Sequence, residues 1–308
     1  MSDNNISYGG QAVIGGVLIQ SPKGWSLAVR NQKNEILKYF EERVPLIRRE
    51  GIWSLPLIRG IGALVDSLYV GYKGLVMSDS LYFEEEEDIS LISKIFNYVF
   101  LIGVLSILVI GPRLLIDLIN TNQINKGIYE GVLRGLIVIA YIYLVGRTKD
   151  AQELFEYHGA EHMTIASYED KKSLQMDDIK TYPKEHIRCG TAFIFLIVFV
   201  SLLTLPFIPT LNIALTFITR ILHIFVVAMI SYEILKFNFK NSDSFFAKIF
   251  STPGIWTQKI TTKKPSEHKC PVCEAKKKKE TEWATGCLLY TSDAADDTPC
   301  VDLGGRRI

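Results

Sequence analysis

Thr191-Ala-Phe-Ile-Phe-Leu-Ile-Val-Phe-Val-Ser-Leu-Leu-Thr-Leu-Pro-Phe-Ile208 decides the fold. The run carries no formal charge and is about as long as a helix must be to cross the hydrocarbon of a bilayer. Apolar residues crowd in the same way at 96–118, 128–145 and 213–235, while the remainder of the chain is rich in charge. With a net charge of +1 and a mean hydropathy of +0.18, the composition is split rather than uniform. Such blocks predict an α-helical polytopic membrane protein with four transmembrane helices. No signal peptide is expected ahead of them, and the near-neutral balance gives no reason to expect a nucleic-acid partner.

The connections on either side of these blocks set the orientation. Arg147, Lys149, Lys171, Lys172, Lys180, Lys184 and Arg188 lie between the second and third blocks, and Lys236, Lys240 and Lys248 follow the fourth. The short turns 120–126 and 206–212 hold only Lys126. The positive-inside rule therefore predicts a multi-pass plasma-membrane protein with both termini, and the long connection before Thr191, in the cytoplasm.

That connection gathers His158-Gly-Ala-Glu-His162 and His186-Ile-Arg-Cys189-Gly190, three of the five histidines together with a cysteine. Neutral imidazoles and a thiolate are good zinc ligands. On a helix, His158 and His162 point the same way, and Glu161 lies one turn from His158. The H-x-x-E-H spelling is the inverted zincin pattern, in which the histidines hold the metal and the glutamate serves as base. Gly159 costs about 1 kcal/mol relative to Ala inside a helix, which suggests that something packs closely there. The predicted set is therefore His158, His162, His186 and Cys189 as ligands of a divalent metal, zinc by donor type, with Glu161 as the catalytic base. Four ligands would close a tetrahedral shell into a structural site; three would leave a position for water and for hydrolytic chemistry.

Around this core the chain divides into seven parts. Residues 1–50 read as a three-stranded antiparallel β-meander, with turn chemistry at Ser21-Pro-Lys-Gly24 and a break at Gly15-Gly16. Residues 51–90 hold an amphipathic helix, with Arg59, Asp66 and Lys73 seven apart on a polar stripe, and then an acidic connector. Spans one and two occupy 91–147, the cytoplasmic helical lobe with the metal site 148–190, spans three and four 191–236, and a cytoplasmic tail 237–286. The tail carries Cys270-Pro-Val-Cys273, half of a zinc knuckle, and the run Lys276 to Lys279. Residues 287–308 back-translate into the adapters of transposase-made sequencing libraries and are set aside, so the gene product is expected to continue past Gly286. Three cysteines remain, which suits a reducing compartment.

Within the spans, Glu130 and Arg134 lie four apart and can pair with each other, which matters where a central ion costs about 2.5 to 3.5 kcal/mol on insertion scales; a self-neutralised pair packing the bundle and a polar route through it are both open. Arg113, Asp117 and Glu233 are close enough to helix ends to snorkel, and Arg220 and His223 share a face from which they might reach the pair.

Gly9-Gly-Gln-Ala-Val13, Arg59-Gly60, His158-Gly-Ala-Glu-His162, Arg188-Cys-Gly-Thr191, Pro253-Gly-Ile-Trp256 and Thr261-Thr262 together resemble the YqhQ-like family of bacterial membrane proteins (domain of unknown function 1385), over about residues 8–264. The resemblance implies a bacterial integral membrane protein described as a predicted metal-dependent enzyme. Gly15 and Gln20 stand where the family pattern has Glu and Arg, so roles those side chains play in relatives do not carry over. Two functions follow as expectations. One is a metal-dependent hydrolase with a cytoplasmic H-x-x-E-H site, acting on a membrane-surface substrate. The other is a non-catalytic adaptor or assembly factor with a structural metal or a polar docking lobe. The partners expected are the lipid bilayer, an unidentified protein or membrane-surface substrate and, if the spans form a cavity, further copies of the chain.

Overall fold

Gly15 turns the first apolar run back on itself. Its φ of 66° suits a two-residue hairpin loop, so that Val13 pairs with Gly16. What reads as one strand is therefore two, and the sheet has four antiparallel strands rather than three: β1 Gly9–Val13, β2 Gly16–Gln20, β3 Gly24–Arg30 and β4 Ile36–Glu42, in sequential order. In this computed structural model the described residues are 8–83, 110–119, 121–170, 176–187, 189–209, 212–242 and 244–265, with isolated positions from 95 to 103. Val13, Leu18, Trp25, Leu27 and Val29 form the core of the sheet's inner face, closed by Val70 from helix α1, Ile58–Phe83.

The charged stripe of α1 faces protein. Asp66 accepts from Arg43 Nη2 at 2.8 Å and from the main-chain N–H of Leu46 at 2.5 Å, Lys73 Nζ reaches Glu41 at 2.5 Å, and Arg59 grips Glu233. Leu68, Tyr72 and Val76 are left exposed on the other side. This reverses the polarity of a helix lying on a water-facing surface and suits a helix whose outer face meets lipid. Glu233 accordingly pairs across helices, where the sequence suggests snorkelling.

Three described helices are long and apolar enough to cross a membrane: α2 Gln123–Val145, the stretch Gly190–Phe207 and Ala214–Lys240. The second comprises helix α5, Gly190–Thr204, and a 3-10 turn at Leu205–Phe207; the third lies in helix α6, Ile213–Lys240. Four were expected, and three is the number among the described residues. The first block, 96–118, falls mostly outside them, and only its end, 110–117, is described as helix. The start of α2 lies beside the end of α5, because Gln123 Nε2 donates to Ile208 O at 2.9 Å. A Cβ on Gly127 would come within 2.4 Å of Pro206 Cα, so the glycine permits that approach.

At the other end of α5 stand α3, Lys149–Glu169, the short α4, Met176–Ile179, and α7, Phe245–Thr261. Thr148 caps α3 by accepting the N–H of Ala151, and α3 packs on β1 and β2. Helix α7 packs along α5 and α6 within a region the sequence reads only as tail. Gly254 makes the approach close, since a Cβ there would lie 2.8 Å from that of Ala192. The pair Cys270 and Cys273, the lysine run and residues 287–308 lie outside the described residues, as does Arg188.

Candidate metal centre

Helix α3 supplies His158, Glu161 and His162. Cys189 is the N-cap residue of α5, its Sγ accepting from the Thr191 N–H at 3.4 Å. One donor atom from each of His158, His162 and Cys189 falls within 4.8 Å of the others. His158 Nε2 is 3.1 Å from Cys189 Sγ. The opposite ring nitrogens face main-chain carbonyls: His158 Nδ1 lies 2.9 Å from Thr261 O and His162 Nδ1 2.6 Å from Lys184 O. A carbonyl only accepts, so each Nδ1 carries the proton and each Nε2 presents a lone pair. Metal-ligating histidines are held by this second hydrogen bond, which fixes tautomer and ring orientation.

The donor chemistry therefore fits a zinc-class ion, with two imidazoles and one thiol. Burial lowers the pKa of His158 and, aided by the neighbouring His158 and His186, pushes that of His162 down to about 3. Both rings are therefore neutral and ready to ligate near neutral pH. Burial also pushes the Cys189 thiol up to about 11, so without a cation it keeps its proton. The 3.1 Å spacing is then an S–H donation to His158 Nε2, and a cation held by both residues would take the place of that proton.

His186 stands beside this trio, its ring centroid 5.8 Å from that of His162 and its Nε2 3.9 Å from Glu169 Oε2. Its main chain is fixed by Gln258, which accepts the His186 N–H at 2.7 Å and donates to the His186 carbonyl at 2.9 Å. Glu161 points toward the sheet, where a Cβ on Gly10 would lie 2.6 Å from its Oε1. It is 4% exposed, its Oε2 has no hydrogen-bond partner among the described residues, and burial pushes its pKa up to about 8. Leaving a buried carboxyl oxygen unpartnered costs stability, which makes Glu161 a candidate site residue.

The end of α7 completes the frame. Lys263 N donates to Phe155 O at 2.8 Å, and Lys184 Nζ to Thr262 O at 2.6 Å. A Cβ on Gly159 would lie 1.9 Å from Lys263 O, which is the close contact that the helix-interior glycine signals. Gln258, Thr261 and Thr262 were not marked as site residues by the sequence, although Thr261-Thr262 belongs to the family-like motifs.

Residues 55–281 match a family described as Protein of unknown function (DUF1385). The chain belongs to that family. The matched span contains α1 to α7 and each of the five predicted site residues. The chain is also 30% identical over 287 residues to the Uncharacterized protein YqhQ of Bacillus subtilis (strain 168), an alignment covering 86% of this chain and 89% of that one. No solved structure matches it.

Proposed function

We infer that this member of the family is a multi-pass bacterial plasma-membrane protein with a cytoplasmic divalent-metal centre, zinc by donor type, and that the centre is hydrolytic. One observation carries the reading. Two imidazoles with their Nδ1–H groups committed to carbonyls turn toward a buried thiol, near a buried carboxyl whose Oε2 has no hydrogen-bond partner among the described residues. His158, His162 and Cys189 would hold the metal. With three protein ligands, a fourth position remains for water or substrate, and His186 is the nearest further imidazole to fill it.

When bound, the metal supplies Lewis acidity toward a carbonyl or phosphoryl oxygen and toward water. With its pKa raised to about 8, Glu161 would act as base in the ionised form that a bound cation favours, taking the proton from the attacking water and passing it to the leaving group. Its burial among β1 and α3 keeps bulk water away, and Gly10 leaves it room. The histidine Nδ1–H bonds hold the two rings in register through the cycle. The positive-inside distribution supports a cytoplasmic position for this chemistry, which favours a membrane-surface substrate.

A second reading has an observation of its own. The same side chains tie α3, the start of α5 and the end of α7 together through Thr261, Thr262, Lys184 and Gln258, which is what a structural metal staple in an adaptor would do. Glu161→Gln separates the two. Purified protein is assayed for metal content and for hydrolysis of ester, peptide and phosphoester panels presented on vesicles. The hydrolase reading expects one metal per chain retained and turnover abolished. Turnover equal to wild type would overturn Glu161 as base, and equal metal in a His158→Ala, His162→Ala protein would overturn the centre itself.

A further inference from the structure

At the far end of the bundle, four cations share two carboxylates. Glu130 on α2, fully buried, accepts from Arg134 Nη2 through Oε1 and from Arg220 Nη2 through Oε2, each at 2.8 Å, while Arg113 Nη1 stands 3.8 Å from Oε2. Arg113 donates to Asp117 from Nε at 3.0 Å and from Nη2 at 2.6 Å, and Lys126 Nζ adds a third contact to Asp117 at 3.0 Å. The group is Arg113, Lys126, Arg134 and Arg220 against Asp117 and Glu130, an excess of two positive charges. Glu130 and Arg134 are thus not the self-neutralised pair that their spacing suggests. His223 lies nearby but is engaged by Thr204 Oγ1 at 2.7 Å.

Arg220 is 0% exposed, and among the described residues its Nε and Nη1 have no hydrogen-bond partner; neither does Nη1 of Arg113, at 4% exposure. Arginine does not shed its proton in proteins, so among the described residues Asp117 and Glu130 are the carboxylates that offset these cations, and the unpartnered guanidinium nitrogens keep their charge. A guanidinium left unpaired away from water is costly, and the group that relieves it is an oxyanion able to take its planar fork of N–H bonds.

Depth narrows the source. Arg220 and Glu130 are each seven residues past the first residue of their helices, about 10 Å along the axis. Helix α6, at 28 residues, runs about 42 Å, roughly 6 Å beyond a 30 Å hydrocarbon layer at each end. The unpartnered N–H groups therefore sit a few ångströms inside the boundary, within reach of a headgroup phosphate. Leu114, Leu115 and Leu118 beside them are exposed, as acyl chains would require.

We propose that Arg113 and Arg220, held around Glu130, form a site for a phosphate group near the face of the membrane opposite the metal centre. It stands apart from the hydrolytic reading and rests on the bundle crossing a bilayer. The test uses the full chain solubilised in maltoside, titrated separately with inorganic phosphate and with dihexanoyl phosphatidylglycerol, and read by calorimetry and thermal unfolding. Saturable binding that weakens at least about tenfold in both Arg220→Gln and Arg113→Gln, but not in Lys73→Gln, is the expected result. Binding of phosphate itself assigns a free oxyanion; binding of the lipid alone assigns a headgroup. The two arginines are far apart in sequence, so either variant that elutes as the wild type does suffices. Absence of binding of both probes to wild type, or wild-type affinity in a folded arginine variant, would overturn the site.

Discussion

The two ends of the bundle solve the problem of burying polar groups in opposite ways. At the histidine end, His158, His162 and Cys189 are held as neutral groups, and the imidazole N–H groups donate to main-chain carbonyls, so lone pairs are left facing inward. At the other end, side chains face side chains as ions, and N–H groups are left facing inward. Helix α5 separates them: Cys189 caps its start, and Thr204 at its end hydrogen-bonds to His223, three residues from Arg220. One end thus presents acceptors that suit a cation and the other presents donors that suit an anion. The difference teaches that a buried polar cluster declares its ligand by which half of the hydrogen bond it leaves unmade.

Removing an ion should hurt the charged end most. Glu130→Ala leaves Arg134 and Arg220 without their shared carboxylate and is expected to destabilise by about 3–5 kcal/mol, seen as the largest fall in Tm of any single change here, with metal content unchanged in what remains folded. A Tm equal to wild type would mean the cluster is not desolvated. The glycines then sharpen the contrast. Gly159→Ala drives a methyl into Lys263 O, and Gly127→Ala drives one into Pro206. Each should cost about 1–3 kcal/mol. Only Gly159→Ala should also weaken metal binding, because the displaced segment carries the Thr261 carbonyl that orients His158. Metal affinity that falls equally in both would erase the distinction between the ends.

Gln258→Ala removes two hydrogen bonds to the His186 main chain and leaves them unsatisfied, at about 1–3 kcal/mol in denaturation. The pH response of the metal centre has a definite sign. His158 and His162, with lowered pKa values, need lose no proton above pH 7, whereas Cys189, raised to about 11, must lose one for a metal to bind. Affinity measured by competition should thus rise about tenfold per pH unit between pH 7 and 9, and a flat profile would exclude the thiol as ligand. The smallest effect is expected at Lys73→Ala, which loses a half-exposed ion pair with Glu41 worth at most about 1 kcal/mol.

Those expectations divide along the line between what one residue knows and what only the fold knows. The three described apolar helices were legible because hydrophobicity over some twenty residues does not depend on neighbours. The His158–His162 pairing was legible because a helix fixes the direction of residues four apart, and Gly159 signalled its close contact by its local cost. The fourth strand was half legible: Gly15-Gly16 marked a break, but only the left-handed φ of Gly15 turns the break into a hairpin. The frame supplied by Gln258 and Thr261 was not legible, since an ordinary glutamine and threonine acquire meaning only when α7 docks on α5. The charged cluster was half legible: the face shared by Arg220 and His223 pointed to the pair on the other span, but the meeting of Glu130 with Arg220, 90 residues away, and the approach of Arg113 depend on how the helices are rotated about their axes.

The most direct test of the metal centre is X-ray absorption at the zinc edge on protein purified after growth with zinc, in a Cys270→Ser, Cys273→Ser background so that the tail thiols contribute nothing. The account predicts a single sulfur at about 2.3 Å together with nitrogen or oxygen ligands at about 2.0–2.1 Å, with the sulfur shell lost in Cys189→Ser. A shell without sulfur, or protein that carries no metal at all, would contradict it.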